Sequence, residues 1–259
     1  MGTKQKIRWD IMLNKSTLKT MEILEKISNS KNGMTITQLS KELEIPRSSV
    51  DDIVKALIFK KYLYCCDESL KLYQLGNKIF ELSLKMRSKR EVLDIVTPFL
   101  RELVNEFNDT LFFGLKDGDD ILYLSKIESS KTVRTTAVLG SRKSLYYTGL
   151  GKAILSTYSE KDLDEYIART KLEPKTDYTI VDSDKLKKDI LETKKRGYSI
   201  DYREGDIEVS CVAAPIYQEG KIFGAISLAG LYTTIDEEET RKRGKKIKDT
   251  AEKISEILN

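Results

Sequence analysis

The feature that most constrains this chain is a change of hydrophobic period within its first 75 residues. Up to Leu57 the apolar residues recur at helical spacing in three short runs, and beyond Tyr62 they alternate at strand spacing in two shorter ones. Leu18, Met21, Leu24 and Ile27 recur every three positions and predict the buried face of a first helix over residues 18–27. A break at residues 29–33 follows. Thr35 stands where a second helix needs its N-cap, with Gln38 at the capping-box position three residues on and Leu39 and Leu43 facing inward. Ile45-Pro46 makes a tight turn. Pro46 suits the first turn of a third helix, where its missing N–H has no partner to lose, and Val50, Ile53, Val54 and Leu57 form that helix's inner stripe. Segments 62–66 and 70–75, separated by Asp67-Glu68-Ser69, read as a β-hairpin. Three short helices closed by a hairpin make a winged helix-turn-helix, assigned here to residues 1–75.

The outward residues of this unit are its candidate DNA contacts. They are Thr35, Thr37 and Gln38 at the start of the second helix, Arg47, Ser48, Ser49, Asp51, Asp52 and Lys55 on the third, and Lys71 in the wing. The third helix would enter the major groove, where hydroxyls and basic groups meet phosphates and bases. Charge supports this: residues 1–90 hold 18 Lys+Arg against 10 Asp+Glu, a balance of +8, whereas the remaining residues hold 27 against 31, a balance of −4. A basic unit beside a mildly acidic one suits a module that meets phosphate joined to one that does not. A Lys-rich surface also promotes solubility, and some winged helices bind only proteins. Asp51 and Asp52 oppose phosphate contact, or read bases by accepting from cytosine N4.

Ile79, Leu82 and Met86 predict a linking helix over residues 76–90 with a basic end at 85–90, and Val92, Ile95, Val96, Phe99, Leu103 and Phe107 a longer helical stretch interrupted or kinked at Pro98. These apolar faces either pair subunits or pack on their own domains. From residue 108 strands and helices are interspersed. Strand segments are 111–115, 121–126, 133–138, 198–202, 211–217 and 223–229; helical segments are 151–157, 161–169, 184–196 and 236–258. Turns at residues 117–120 and at Glu219-Gly220 join two strand pairs as hairpins. An antiparallel sheet flanked by helices, after the winged helix, places the chain in the α+β class.

Several chemistries fall away. The chain has no histidine, which removes the usual general base of Ser and Cys hydrolases and most zinc ligand sets. Cys65, Cys66 and Cys211 form neither a CxxC pair nor an even set, so no disulfide framework, metal site or cofactor is expected. Thr148-Gly149-Leu150-Gly151-Lys152-Ala153 resembles a phosphate loop only superficially, since Tyr146 stands where Walker A needs its first glycine and Ala153 follows the lysine. Its glycines form either a loop that lets backbone approach a small ligand or a plain turn. No apolar run reaches membrane-spanning length, and residues 1–15 do not read as a secretory signal, so a cytoplasmic protein without membrane contact is expected. The basic run at 241–248 reads as the solvated face of a terminal helix whose inner face is Ile247, Ala251, Ile254 and Leu258.

Over nearly its whole length the chain resembles the IclR family of transcriptional regulators. The resemblance is carried by residues 16–24, by 35–57 with the turn Ile45-Pro46-Arg47-Ser48-Ser49-Val50, and by a C-terminal signature that here reads Gly197, Asp201, Glu204, Cys211, Val212, Ala213, Ile216 and Tyr217, with Gln218 departing from it. It implies a GAF-like effector-binding domain, residues 91–259, in a dimer or tetramer. Carried over by position, it implies an effector pocket formed by Gly149, Leu150, Asp201, Val209, Cys211, Ser227 and Ala229. Ala229 replaces a second serine found in members with carboxylate effectors, which removes one hydroxyl donor and fits a different or less polar ligand, and in the third helix Asp51 and Asp52 replace the aromatic or histidine and the basic residue common in the family. Without the resemblance, Cys211 reads as a small buried hydrophobe and Asp201 as a turn or capping residue. The expected function is a ligand-responsive regulator, repressor or activator, that is not an enzyme and binds operator DNA and a small-molecule effector of the organic-acid class. The alternatives are an architectural DNA-binding protein without an effector, and an enzyme using Cys211 as nucleophile.

Overall fold

The structure, a computed structural model, describes residues 13–85, 87–135 and 137–259. The chain divides into two compact units, Met1–Arg90 and Glu91–Asn259. The reading of residues 1–12, Met86, the side chains at 87–91 and Thr136 lies outside the described residues.

In the first unit, helix α1 (Lys15–Ser28) is capped by Asn14, whose side chain accepts from the N–H groups of Ser16 and Thr17. Its inner face is Ile23 and Ile27, with Leu24 partly covered. Leu18 and Met21 lie outside, which corrects the three-residue repeat read from the sequence. The reason is geometric: each step of three turns 300°, so a strict repeat drifts off one face within two turns. A two-residue strand β1 (Met34–Thr35), not foreseen, precedes α2 (Ile36–Leu43). The capping box forms as expected, with the Gln38 N–H donating to the Thr35 hydroxyl and the Thr35 N–H to the Gln38 side chain. Glu44 adopts the left-handed conformation and closes α2, and the Ser40 hydroxyl donates to the Ile45 carbonyl across the turn. Pro46 is the N-cap of α3 (Arg47–Phe59), one residue earlier than its predicted place inside the first turn. Strands β2 (Leu63–Asp67) and β3 (Leu72–Leu75) form the wing, and β1 joins β3 to complete a three-stranded antiparallel sheet. Asp67 holds the wing tip by accepting from the N–H groups of Ser69 and Leu70 and from the Ser69 hydroxyl. Helix α4 (Asn77–Leu84) follows.

The second unit is built on a six-stranded, wholly antiparallel sheet in the order β6-β5-β4-β9-β8-β7, made by β4 (Thr110–Asp117), β5 (Asp120–Ile127), β6 (Arg142–Ser144), β7 (Ser199–Tyr202), β8 (Val209–Gln218) and β9 (Lys221–Leu231). Both expected hairpins form. Positive φ at Gly118 lets the first turn close, and positive φ at Glu219 and Gly220 the second. The sheet is covered on both faces. Helices α5 (Arg87–Phe107) and α9 (Glu237–Leu258) pack through Val92, Val96, Leu100, Leu103, Ile247, Ala251 and Ile254 onto Leu111, Phe113, Val212, Ile226 and Leu228. On the other face α6 (Gly149–Leu155), α7 (Glu160–Arg169) and α8 (Ser183–Arg196) pack onto Phe112, Tyr123, Cys211, Ala213, Ala225 and Ala229.

Three expectations need correction. None of the described residues of segment 133–138 lies in a strand; Val133 and Val138 stand exposed, and β-branched residues extend into a ladder only where a partner and a core receive them. The strand partner of β5 is instead the short β6. Helix α5 is not interrupted at Pro98, so the expected restart does not occur. Pro98 and Asp94, the residue whose carbonyl loses its intrahelical partner there, both lie on the solvent side, where water supplies the missing donor. Arg243, assigned to a solvated face, is buried and pairs with buried Asp109 and with Glu239.

Leu100 is fully buried between sheet and α9. Leu100→Ala should cost about 2–5 kcal/mol in chemical denaturation of the second unit. Pro98→Ala, restoring one backbone bond at an exposed site, should raise its melting temperature.

Candidate functional site

Parity along the central strands determines where space is left. In β4, β8 and β9 alternate residues face opposite layers, and on the layer beneath α6 the strands present Phe112, Cys211, Ala213, Ala225, Ser227 and Ala229. Most of these are small, and β9 sets Ser227 opposite Phe112 and Ala229 opposite Cys211. The result is a cavity of about 70 Å³ between the sheet and the start of α6. All seven residues expected to form an effector pocket line it: Gly149, Leu150, Asp201, Val209, Cys211, Ser227 and Ala229. The wall is completed by residues the sequence reading missed, Phe112, Tyr123, Thr135, Ala137, Lys143, Thr148, Gly205 and Asp206. Phe112 and Tyr123 were legible as strand residues of the right parity. Lys143 comes from a segment with no local signal, and Thr135 from one read as a strand.

The glycines at this site serve packing. They lie in a helix capped by Thr148, whose hydroxyl accepts from the Gly151 N–H, and not in a loop. A Cβ on Gly149 would sit 2.6 Å from the Cys211 Sγ, and one on Gly151 would meet the Leu145 backbone at 2.2 Å. Only glycine lets α6 lie this close to the sheet and to the preceding turn.

Behind the cavity sits a buried charge cluster. Lys152, only 1% exposed, is paired with Glu204 at 2.5 Å and with Asp189 at 2.8 Å. The Glu204 N–H donates to Asp201 Oδ1, and the Cys211 thiol lies 3.6 Å from Asp201 Oδ2. Burial pushes the Glu204 carboxyl up to about 7, against the pull of Lys152. Burial likewise lifts the Asp201 carboxyl, against Lys152 and the Glu204 N–H. Burial also works against a charged Lys152, but Glu204, Asp189 and Asp201 outweigh it and hold the ammonium above its ordinary range. The Cys211 thiol is pushed well up by burial and by the neighbouring Asp201. Such a thiol is a poor nucleophile. Tyr123 rises by burial too, so its phenol stays a neutral hydrogen-bonding group. Among the described residues no His, Cys, Asp or Glu group is arranged to hold a metal ion.

In the first unit the candidate DNA contacts lie at the start of α2, along α3 and in the wing. Thr37, Gln38, Arg47, Ser48, Asp52, Lys55 and Lys71 are exposed, while Thr35, Ser49 and Asp51 are half-buried. Thr35 and the Gln38 carbonyl oxygen are engaged in the capping box. Asp51 is paired with Lys55 one turn on at 2.6 Å, and the pair raises the Lys55 ammonium through the Asp51 hydrogen bond and charge. Asp51 therefore masks a cation of its own helix, a role the sequence reading did not assign.

A winged helix-turn-helix joined to an α+β unit with a small buried cavity defines a DNA-binding regulator with a separate second domain. Residues 16–64 match the IclR helix-turn-helix domain, and residues 84–256 match the C-terminal domain of bacterial IclR transcriptional regulators. The transcriptional repressor AllR of Escherichia coli is 30% identical over 237 residues, covering 91% of this chain and 87% of AllR. The IclR structure from Thermotoga maritima aligns with a TM-score of 0.78 at 28% identity, covering 94% of this chain and 98% of that one. An IclR homologue from Microbacterium hydrocarbonoxydans, in complex with 4-hydroxybenzoate, shares the fold with a TM-score of 0.79 at 16% identity, covering 92% and 99%. This chain belongs to the IclR family and is a DNA-binding transcriptional regulator.

A carboxyl whose pKa is raised on folding binds more protons folded than unfolded, so its contribution is fully present below its unfolded value near 4.5 and is lost as the pH rises through about 7. Stability of the second unit should fall over that window. Glu204→Gln should flatten the dependence, read from melting temperatures at a series of pH values.

Proposed function

We propose that this regulator senses a small organic acid in the cavity beneath α6 and transmits its occupancy to DNA affinity. The observation that carries the reading is the convergence of Gly149, Leu150, Asp201, Val209, Cys211, Ser227 and Ala229 on one cavity. Donors face that space: Ser227, Tyr123 and the ammonium of Lys143, with Asp201 shifted toward its neutral acid form. The relative bound to 4-hydroxybenzoate supports an acid as the ligand class. The domain scheme is 1–75 for DNA, 76–90 as linker and 91–259 for the effector. The protein acts in the cytoplasm as a homo-oligomer, dimer or tetramer, that sets two winged helices on the half-sites of an operator. It carries out no catalysis: the sole thiol in the cavity is held protonated.

DNA binding rests on Arg47, Ser48, Ser49 and Lys55 of α3, on Thr35, Thr37 and Gln38 at the start of α2 and on Lys71 in the wing. Asp51 and Asp52 restrain non-specific phosphate attraction. Arg47→Ala should weaken binding to the DNA upstream of the gene and make the salt dependence shallower by about one ion. Lys55→Ala should do so less, because Asp51 already offsets its charge. Asp51→Asn should strengthen binding to unrelated DNA. Equal effects of Arg47→Ala and Lys55→Ala would discard the masking role. A thermal-shift screen of acids, sugars and amines, repeated with DNA, tests the sensor: a compound that raises the melting temperature should also change DNA affinity, since it moves the equilibrium only by its preference for one state.

A further inference from the structure

Helix α3 carries a second outward band besides the one proposed for DNA. At about 100° per residue, Arg47, Asp51 and Lys55 fall within roughly a quarter of its circumference, and Asp52, Ala56 and Lys60 follow in a band beside them. With Ser16 and Thr20 of α1 this second band lines an open groove, whose floor is Ile53, Ala56, Leu57 and Tyr62. Leu57 is buried and Ile53 and Tyr62 are half-buried, whereas Ala56 is exposed. A small residue in the middle of an apolar floor leaves room for a large ring. Asp52 and Lys60 mark the two ends of the band, about 12 Å apart along the helix axis. Asp52 is exposed and makes no hydrogen bond or ion pair among the described residues.

The sequence supplies a segment of matching chemistry. It is Lys6-Ile7-Arg8-Trp9-Asp10-Ile11, in which Ile7, Trp9 and Ile11 alternate with polar residues and so share one apolar edge at strand spacing. Trp9 is the only tryptophan of the chain. Lys6 and Arg8 are opposite in sign to Asp52. The distance suits as well. Leu13 stands immediately before the Asn14 cap of α1, and the groove begins at Ser16, two residues past that cap. From Leu13 back to Trp9 the chain reaches up to about 14 Å, comparable with the length of the groove. An indole is among the largest apolar surfaces a side chain can bury, so the ring supplies the attraction. An ion pair at the rim adds little affinity but fixes the direction in which the segment lies.

We infer that the groove between α1 and α3 is the docking site of residues 6–11 of the same chain, with the Trp9 indole over Ala56 and Arg8 at the Asp52 end. Docking ties α1 to the recognition helix by a contact outside the core of Ile23, Leu39 and Val54. It also gives Asp52 a partner within its own chain, where the aspartate next to it, Asp51, already has Lys55.

The test reads the single tryptophan of the full chain by its emission maximum and by acrylamide quenching, with a peptide of residues 1–12 as the reference for an indole in water. In the natural protein the emission should be blue-shifted from the peptide's and the quenching weaker. Ala56→Arg fills the groove from an exposed position with a good helix former and should return both readings to the peptide's values. Circular dichroism shows whether this variant folds; if it does not, Thr20→Arg, which fills the groove from the α1 side, takes its place. Asp52→Asn should move both readings part of the way. Refolding the Ala56→Arg chain with an excess of Trp9→Phe chain separates the same chain from a second copy. Shielding should stay lost in the mixture, because no tryptophan then has an intact groove of its own. Its recovery gives the groove to the segment of a second copy and overturns the same-chain assignment. Peptide-like readings in the natural protein, or shielding that the groove-filling variant leaves intact, overturn the docking itself.

Discussion

Strands β4, β9 and β8 are covered on both faces, and this double burial is the constraint from which the second unit follows. Every residue along them must satisfy one of two different layers. Leu111, Phe113, Val212, Ala214, Ile216, Ile226 and Leu228 fill the layer under α5 and α9, which is packed with large aliphatic side chains from both sides. The opposite parity carries Ala213, Ala225, Ala229, Cys211 and Ser227. Small residues on that face let α6 approach the sheet closely, and Gly149 lets it approach closer still. The cavity is what remains where this approach stops.

Close approach has an electrostatic consequence. Bringing α6 onto the sheet carries Lys152 out of water, a state that is tolerable only with charge partners at hand. Glu204 and Asp189 provide them from the segment after β7 and from α8. Thr176 and Thr179 fasten the same segment by donating to the carbonyls of Arg203 and Glu204. Helix, sheet edge and loop are thus held by one buried cluster directly behind the residues that line the cavity. Asp201 belongs to both: its carboxylate accepts from the Glu204 N–H and also lines the space. The groups beside the cavity therefore form a set whose charge states are interdependent.

The DNA-binding unit shows a different economy. Its core is local, with Ile23, Ile27, Leu39, Val50, Val54 and Leu63 meeting within about forty residues of chain. The outward surface keeps charge available, but not uniformly, since Asp51 is paired with Lys55 on the recognition helix itself. A paired cation contributes less to indiscriminate phosphate attraction than a free one, which shifts the balance from affinity toward selection.

The sequence determined what depends on local chemistry. The capping box at Thr35 and Gln38, the inner stripe of α3, the wing, the hairpins at Gly118 and Gly220 and the strands that pair through them all express backbone preferences and periodicity over a few residues. The seven residues proposed for an effector were named through a resemblance, and the fold places them around one cavity. What periodicity could not settle were the choices that need a partner: whether segment 133–138 has a strand to join, on which side Leu18 and Met21 end up, whether Arg243 meets water or Asp109. Lys152 and Glu204 stand 52 residues apart, and Phe112 reaches Ser227 only across two strands. Such pairings are invisible in a local reading, because burial and distance arise only when the layers close. The size of the cavity belongs to the same class, since it is the difference between two packed surfaces and is encoded in neither alone.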